Sequence, residues 1–308
     1  MLGLVADPAA PERVALRELP EPEPGPGTAV VEVEAVALNR GELNRLQTAP
    51  DGWRPGWDLA GRVAVAATDG RGPKPGERVV GLLPDGAGWA ERAAVPTTLL
   101  ATLPEGVSAT DAAALPVAGI TALRTLRMGG LLLDRRVLIT GAAGGVGRFA
   151  IQLAHRAGAE VTAVVGSPER AAGLAELGAD QVVVGIEAAA DRFDLILEAA
   201  GGASLTAALG LVAESGTVVT YGNSAREPTT FLVNDFYTRW GVTLRGYLLL
   251  LDAWRDPPAA DLARLARLVA EGRLNPHVTL VADWHQADRL LAALRQRQVA
   301  GKAVLRIG

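Results

Sequence analysis

Three glycines spaced G-x-x-G-x-x-G close an apolar run at residues 137–147, which read Val-Leu-Ile-Thr-Gly-Ala-Ala-Gly-Gly-Val-Gly. That layout makes a phosphate cradle. Gly141 permits a sharp turn out of a strand, Gly144 lets a pyrophosphate approach bare backbone, and Gly147 lets the following helix lie close to the sheet. The helix start, from Gly145 and Val146 onward, then aims unpaired N–H groups and a partial positive charge at the anion. The flanks agree. Residues 136–140 supply the strand, and Val146, Ala150, Leu153, Ala154 and Ala157 supply a helical apolar stripe. Gly158 stops the helix, and residues 161–165 form the next strand.

Beyond Gly141 the pattern alternates. Strands are expected near 161–165, 181–184, 194–197, 217–221 and 243–247, with helices near 168–177, 204–212 and 261–271. Six short strands alternating with helices predict an α/β fold with a doubly wound parallel sheet. Residues before about 110 differ. Short apolar runs (29–36, 62–67, 78–83, 90–95) are separated by Pro/Gly turns, which predicts a compact β-rich domain. The Pro/Gly stretch 20–27 reads as a surface loop. Ser108 is placed to cap a helix running through 112–126, and 283–298 and 302–307 read as a last helix and strand.

Net charge is −4 and no basic stripe is visible, so no nucleic-acid partner is expected. No apolar run approaches the roughly 18 residues of a membrane span, and no basic segment precedes the first apolar residues, so a cytoplasmic protein is expected. The chain has no cysteine, which excludes disulfides, a thiolate nucleophile and cysteine-ligated metal. His155, His277 and His285 are scattered without ligand spacing.

The end of the second strand separates NAD from NADP, because a carboxylate there binds the ribose 2′-hydroxyl, whereas a 2′-phosphate needs a cation instead. Glu160 lies at the wrong end of that strand. The strand runs out into Gly166 and Ser167 with Arg170 close behind, which favours NADPH.

With these residues placed, the chain resembles the zinc-independent medium-chain dehydrogenase/reductases, in particular the NADPH:quinone oxidoreductases (zeta-crystallin-like). The resemblance rests on Ala37-Leu38-Asn39-Arg40-Gly41-Glu42, Pro55-Gly56-Trp57-Asp58-Leu59-Ala60-Gly61, Pro75-Gly76-Glu77-Arg78-Val79 and Ala113-Ala114-Leu115-Pro116 with Thr121-Ala122. The glycine loop, Leu177-Gly178-Ala179-Asp180 and Gly301-Lys302-Ala303-Val304-Leu305 complete it.

The resemblance implies a GroES-like β-rich catalytic domain (1–112 and 273–308) around a Rossmann NADP-binding domain (113–272), an active site between them, and a homodimer pairing through the edge strand near 243–247. It implies cofactor contacts from Thr121, Gly144, Gly145 and Val146, from Ser167 and Arg170 near the 2′-phosphate, and from Tyr221, Gly222 and Asn223 near the nicotinamide. Arg297 and Lys302 would approach the cofactor from the C-terminal segment. Where zinc-dependent relatives have cysteine, histidine, an acid and cysteine, this chain has Asn39, Trp57, Asp58 and Val117. A tyrosine frequent in quinone reductases is Asn44 here, and a second, at the adenosine phosphate, is Gly185.

The implied reaction is hydride transfer to a quinone or activated enone. Asn39 would donate to the developing oxyanion, Asp58 is a candidate acid, and Trp53 or Trp57 would stack on a flat substrate. An enoyl-thioester reductase and a non-catalytic NADPH-binding protein are the alternatives.

Overall fold

The computed structural model describes residues 1–308, the side chain of Asp235 set aside. Contacts divide the chain into two units, Met1–Ile120 with Leu249–Gly308, and Thr121–Leu248.

In the second unit, apolar runs without alternation form a parallel sheet, whose strands are buried on both faces. Val137, Leu138 and Ile139 have no solvent exposure. Across the sheet the strands run Gln181–Val184, Glu160–Val165, Arg136–Ile139, Phe193–Glu198, Val212–Thr220 and Thr243–Gly246. All five pairings are parallel. The chain starts at the centre, winds to one edge, returns, and winds to the other. The reversal falls between Arg136–Ile139 and Phe193–Glu198, and the crevice outside the carboxyl ends of such strands is where ligands bind. Leu138, Val164, Phe193, Ile196, Leu209 and Val218 share one core cluster.

The first unit is built on strand Thr28–Ala37, which pairs antiparallel with Asp58–Val65, Arg92–Pro96 and Lys302–Arg306. Val304 faces Ala37 and Leu305 faces Val36. Continuing that register sets Lys302 opposite Asn39, which caps helix Arg40–Leu46.

Four expectations change. The helix expected at 168–177 is a single 3-10 turn, Pro168–Ala171, because Gly173 takes φ +74° and ends any helical path. The helix after Ser108 divides into Ala109–Ala113 and Pro116–Arg127 at Pro116, which cannot continue a helix but starts one well. The C-terminal helix is confined to Ala287–Arg295, preceded by the 3-10 turn Trp284–Gln286. The unit boundaries fall at 120/121 and 248/249, against the expected 112/113 and 272/273. Helix Ala259–Ala270 packs on strands Leu100–Thr102 and Arg78–Leu82 through its buried Leu262, Leu265 and Ala266 face, so it belongs to the first unit. Among the described residues no helix is long and apolar enough to cross a membrane.

Candidate active site

The glycine turn has the geometry its spacing predicts. Gly141 sits at φ +61°, and the Gly144 N–H closes the turn onto the Gly141 carbonyl at 2.9 Å. A Cβ on Gly147 would lie 2.5 Å from the Ala142 carbonyl oxygen and 2.6 Å from its Cα, so no side chain fits there. Helix Gly145–Arg156 therefore starts directly on the turn. Its first N–H groups, those of Gly145, Val146 and Gly147, have no carbonyl partner within the helix. A diphosphate fits this surface as an anion facing bare backbone.

At the end of strand Glu160–Val165, Gly166 is exposed with open space around it, and Ser167 and Arg170 are half-buried. The Ser167 hydroxyl is held by Glu169, whose carboxyl it keeps below the usual range. Arg148, not singled out in the sequence, lies beneath this loop. Its Nε donates to the Ala143 carbonyl at 3.2 Å and its Nη2 to the Ala172 carbonyl at 3.1 Å.

Tyr221, Gly222 and Asn223 follow strand Val212–Thr220, and the Tyr221 N–H donates to the Glu198 carbonyl at 3.0 Å. Glu198, also missed from sequence, is fully buried and latches the crevice. Its carboxylate accepts from Ala200 N–H, Gly201 N–H and the Ser204 hydroxyl, all at 2.9 Å, and from the Thr140 hydroxyl at 3.2 Å. An acid ending an apolar strand just before Ala-Ala-Gly-Gly was the available signal. Burial and the charge of Glu198 push the Tyr221 phenol up, so it stays a neutral donor. Thr121 is buried in helix Pro116–Arg127. Arg297 lies on an exposed turn at φ +60°.

Asn39, Asp58 and Lys302 converge in the first unit, together with Glu42. Lys302 Nζ donates to Asn39 Oδ1 at 2.8 Å, to Asp58 Oδ2 at 3.1 Å and to the Leu38 carbonyl at 3.3 Å. Asn39 Nδ2 donates to Asp58 Oδ2 at 2.9 Å and reaches Glu42 Oε2 only at 3.4 Å. Glu42 accepts the Asn39 and Trp57 N–H groups, each at 2.8 Å, and Val117 N–H donates to Asp58 at 2.8 Å. Thus Asn39, Asp58 and the Leu38 carbonyl hold an ammonium, and Val117 holds Asp58 from its other oxygen. Among the described residues no three of His, Cys, Asp or Glu converge as a metal site.

Lys302 is buried against Asn39 and Asp58. Asp58 has no exposed surface. Burial pushes its carboxyl up, while Lys302, Asn39 and Val117 pull it back. Both its oxygens accept hydrogen bonds, and Oδ2 orients Asn39. Asn39 is the half-buried member, and its second amide hydrogen is only weakly held. The tryptophans are partly covered. Arg45 lies over the Trp53 ring at 5.7 Å, and the Trp57 ring packs on Gly41.

Glu42 gives the cluster a pH signature. Burial, then the Asp58 charge, push its carboxyl from 4.5 up to about 8. Between those values the folded state binds the extra proton and the unfolded state does not, so stability falls as pH rises through that window. In urea unfolding, wild type should lose more stability than Glu42→Gln between about pH 5 and about pH 8. Equal losses would remove Glu42 as the cause.

Residues 145–266 match the family described as zinc-binding dehydrogenase. The chain is 34% identical over 285 residues to the spectinabilin polyketide synthase system protein NorB of Streptomyces orinoci, covering 89% of this chain but spanning only 13% of that relative's length. It is 31% identical over 267 residues to a chloroplast envelope quinone oxidoreductase homolog of Arabidopsis thaliana, covering 82% of this chain and 79% of that one. The solved Escherichia coli quinone oxidoreductase complexed with NADPH has the same fold, with a TM-score of 0.88 at 21% identity, covering 99% of this chain and 100% of that one.

Proposed function

This chain belongs to the quinone oxidoreductase branch of the medium-chain dehydrogenase/reductase family, and from that premise we propose that it transfers hydride from NADPH to a quinone or another activated α,β-unsaturated carbonyl. The observation that supports it most is the pairing of a side-chain-free diphosphate turn with a second strand ending in Gly166 and Ser167, where a 2′-hydroxyl reader would have an acid.

Backbone N–H groups of Gly144, Gly145 and Val146 would hold the diphosphate, with Gly141 and Gly147 shaping the turn. Gly166, Ser167 and Arg170 would receive the 2′-phosphate, Tyr221, Gly222 and Asn223 would line the nicotinamide end, and Thr121 would complete the floor. Bound there, NADPH supplies the hydride. Asn39 donates its weakly held amide hydrogen to the acceptor oxygen on which charge develops. Lys302 on Oδ1 polarises that amide, and Asp58 fixes its orientation. Asp58 accepts at both oxygens and acts here as a carboxylate, not an acid, which suits quinones, because a reduced quinone can be protonated by water.

The test is NADPH against NADH oxidation with a benzoquinone acceptor, using protein stripped of metal. Faster turnover with NADPH is expected, and NADPH binding without reduction of any acceptor would overturn the reading. The likeness to an acryloyl-coenzyme A reductase of Metallosphaera sedula, 27% identical over 280 residues, supports an enoyl thioester as the second acceptor class, and a crotonyl-thioester assay separates the two. We further propose that the enzyme acts in the cytoplasm, where NADPH is plentiful, and as a homodimer. Strand Thr243–Gly246 ends its sheet with an outer edge free to pair with a second copy. Light scattering at one protomer's mass would exclude that.

A further inference from the structure

Arg148 breaks a rule of protein interiors. Buried charges are almost always paired, yet Arg148 is 3% exposed and forms no ion pair among the described residues. Its Nη1 is buried without a hydrogen-bond partner. The other two guanidinium nitrogens are held by backbone carbonyls, which satisfy donors but do not neutralise charge. Burial and the like charge of Arg170 both disfavour the charged form of this guanidinium. A buried guanidinium of this kind needs an anion, and none is paired with Arg148 among the described residues.

Its position says which anion. Ala143 lies in the glycine turn after the first strand, and Ala172 lies two residues past Arg170 in the loop after the second. Arg148 therefore fastens together the two loops that frame a dinucleotide's adenosine end. Its Nη1 lies beside Gly173, about where a Cβ would come within 3.6 Å, directly under the segment that offers Ser167 and Arg170. We propose that Arg148 is the buried half of an arginine pair, with Arg170, that selects the 2′-phosphate of NADPH over the 2′-hydroxyl of NADH. It is a positioning residue. It sets the loop that presents Arg170, and it adds an unneutralised charge beneath the phosphate in a medium that screens charge poorly. This rests on the NADPH reading.

The test compares 2′,5′-ADP with 5′-AMP, two probes that differ in the 2′-phosphate, by calorimetric titration of the intact protein. Wild type should prefer 2′,5′-ADP. Arg148→Met should weaken 2′,5′-ADP by about tenfold or more while changing 5′-AMP by less than about twofold. Arg148→Lys, which keeps the charge, should recover much of the preference, and it decides the matter if the Met variant does not fold. Equal weakening of both probes would reduce Arg148 to a loop tie and overturn the proposal, as would an unchanged preference in both variants. If wild type binds the two probes alike, the NADPH reading itself fails.

Discussion

Lys302→Met should lower the unfolding free energy by about 3–5 kcal/mol, because removing one partner of a buried pair leaves the other charge without compensation. The stranded group is Asp58, which has no exposed surface and sits 3.1 Å from the missing ammonium. Glu42, whose carboxyl burial and the Asp58 charge already push up to about 8, supplies no compensating charge. Replacing both members should be milder than the sum of the single changes. Asp58→Asn with Lys302→Met removes the unpaired charge and retains the Val117 and Asn39 hydrogen bonds in altered form. Urea unfolding of the two single variants and the double variant measures this. Additive losses would show that the pair does not act as a unit.

Asn39→Ala should lower turnover by about a hundredfold or more with little change in NADPH binding, the signature of a donor used in the transition state. The ordering around Asn39 supports so large an effect. Lys302 holds its Oδ1, Asp58 holds one amide hydrogen, and the remaining hydrogen has only a 3.4 Å contact to give up. Preorganised donors of this kind need no rearrangement as charge develops. Asn39→Ala also removes a bond from Lys302, so its stability must be measured alongside. A fall in turnover of less than threefold in a stably folded variant would take Asn39 out of the mechanism.

The doubly wound unit is legible in the sequence because its signals are local. An apolar strand, a glycine turn and an amphipathic helix lie within about twenty residues, and each constrains the next. The strand ends at Val165 and Thr220 follow from the same alternation. Where expectation and structure diverge, one residue usually decides. Gly173 in the left-handed region stops a helix that the alanines and leucines around it would otherwise favour, and Pro116 divides another.

The candidate site was legible only in part. The hydrogen bond from Lys302 to Asn39 spans 263 residues and exists because of a strand register that no local pattern announces. Arg148 lies in a helix segment buried from Gly147 to Gln152 and is tied to the Ala172 carbonyl of an irregular loop, a contact no local pattern announces. Glu198 was readable in principle, as a lone acid ending an apolar strand.

The order of synthesis follows from the interleaving of the two units. Residues 121–248 form one unbroken stretch, but the other unit is closed by chain from both sides of it. A nascent chain that has reached residue 248 can fold its doubly wound unit, since domains fold as units during translation. Its first 120 residues are still missing a sheet partner along Ala35, Val36 and Ala37, and still hold two acids meant for burial beside an ammonium not yet made. An unpaired strand edge invites pairing with other chains. The segment made first is therefore finished last, and chaperones that recognise open sheet edges have their longest opportunity on this protein within Met1–Ile120.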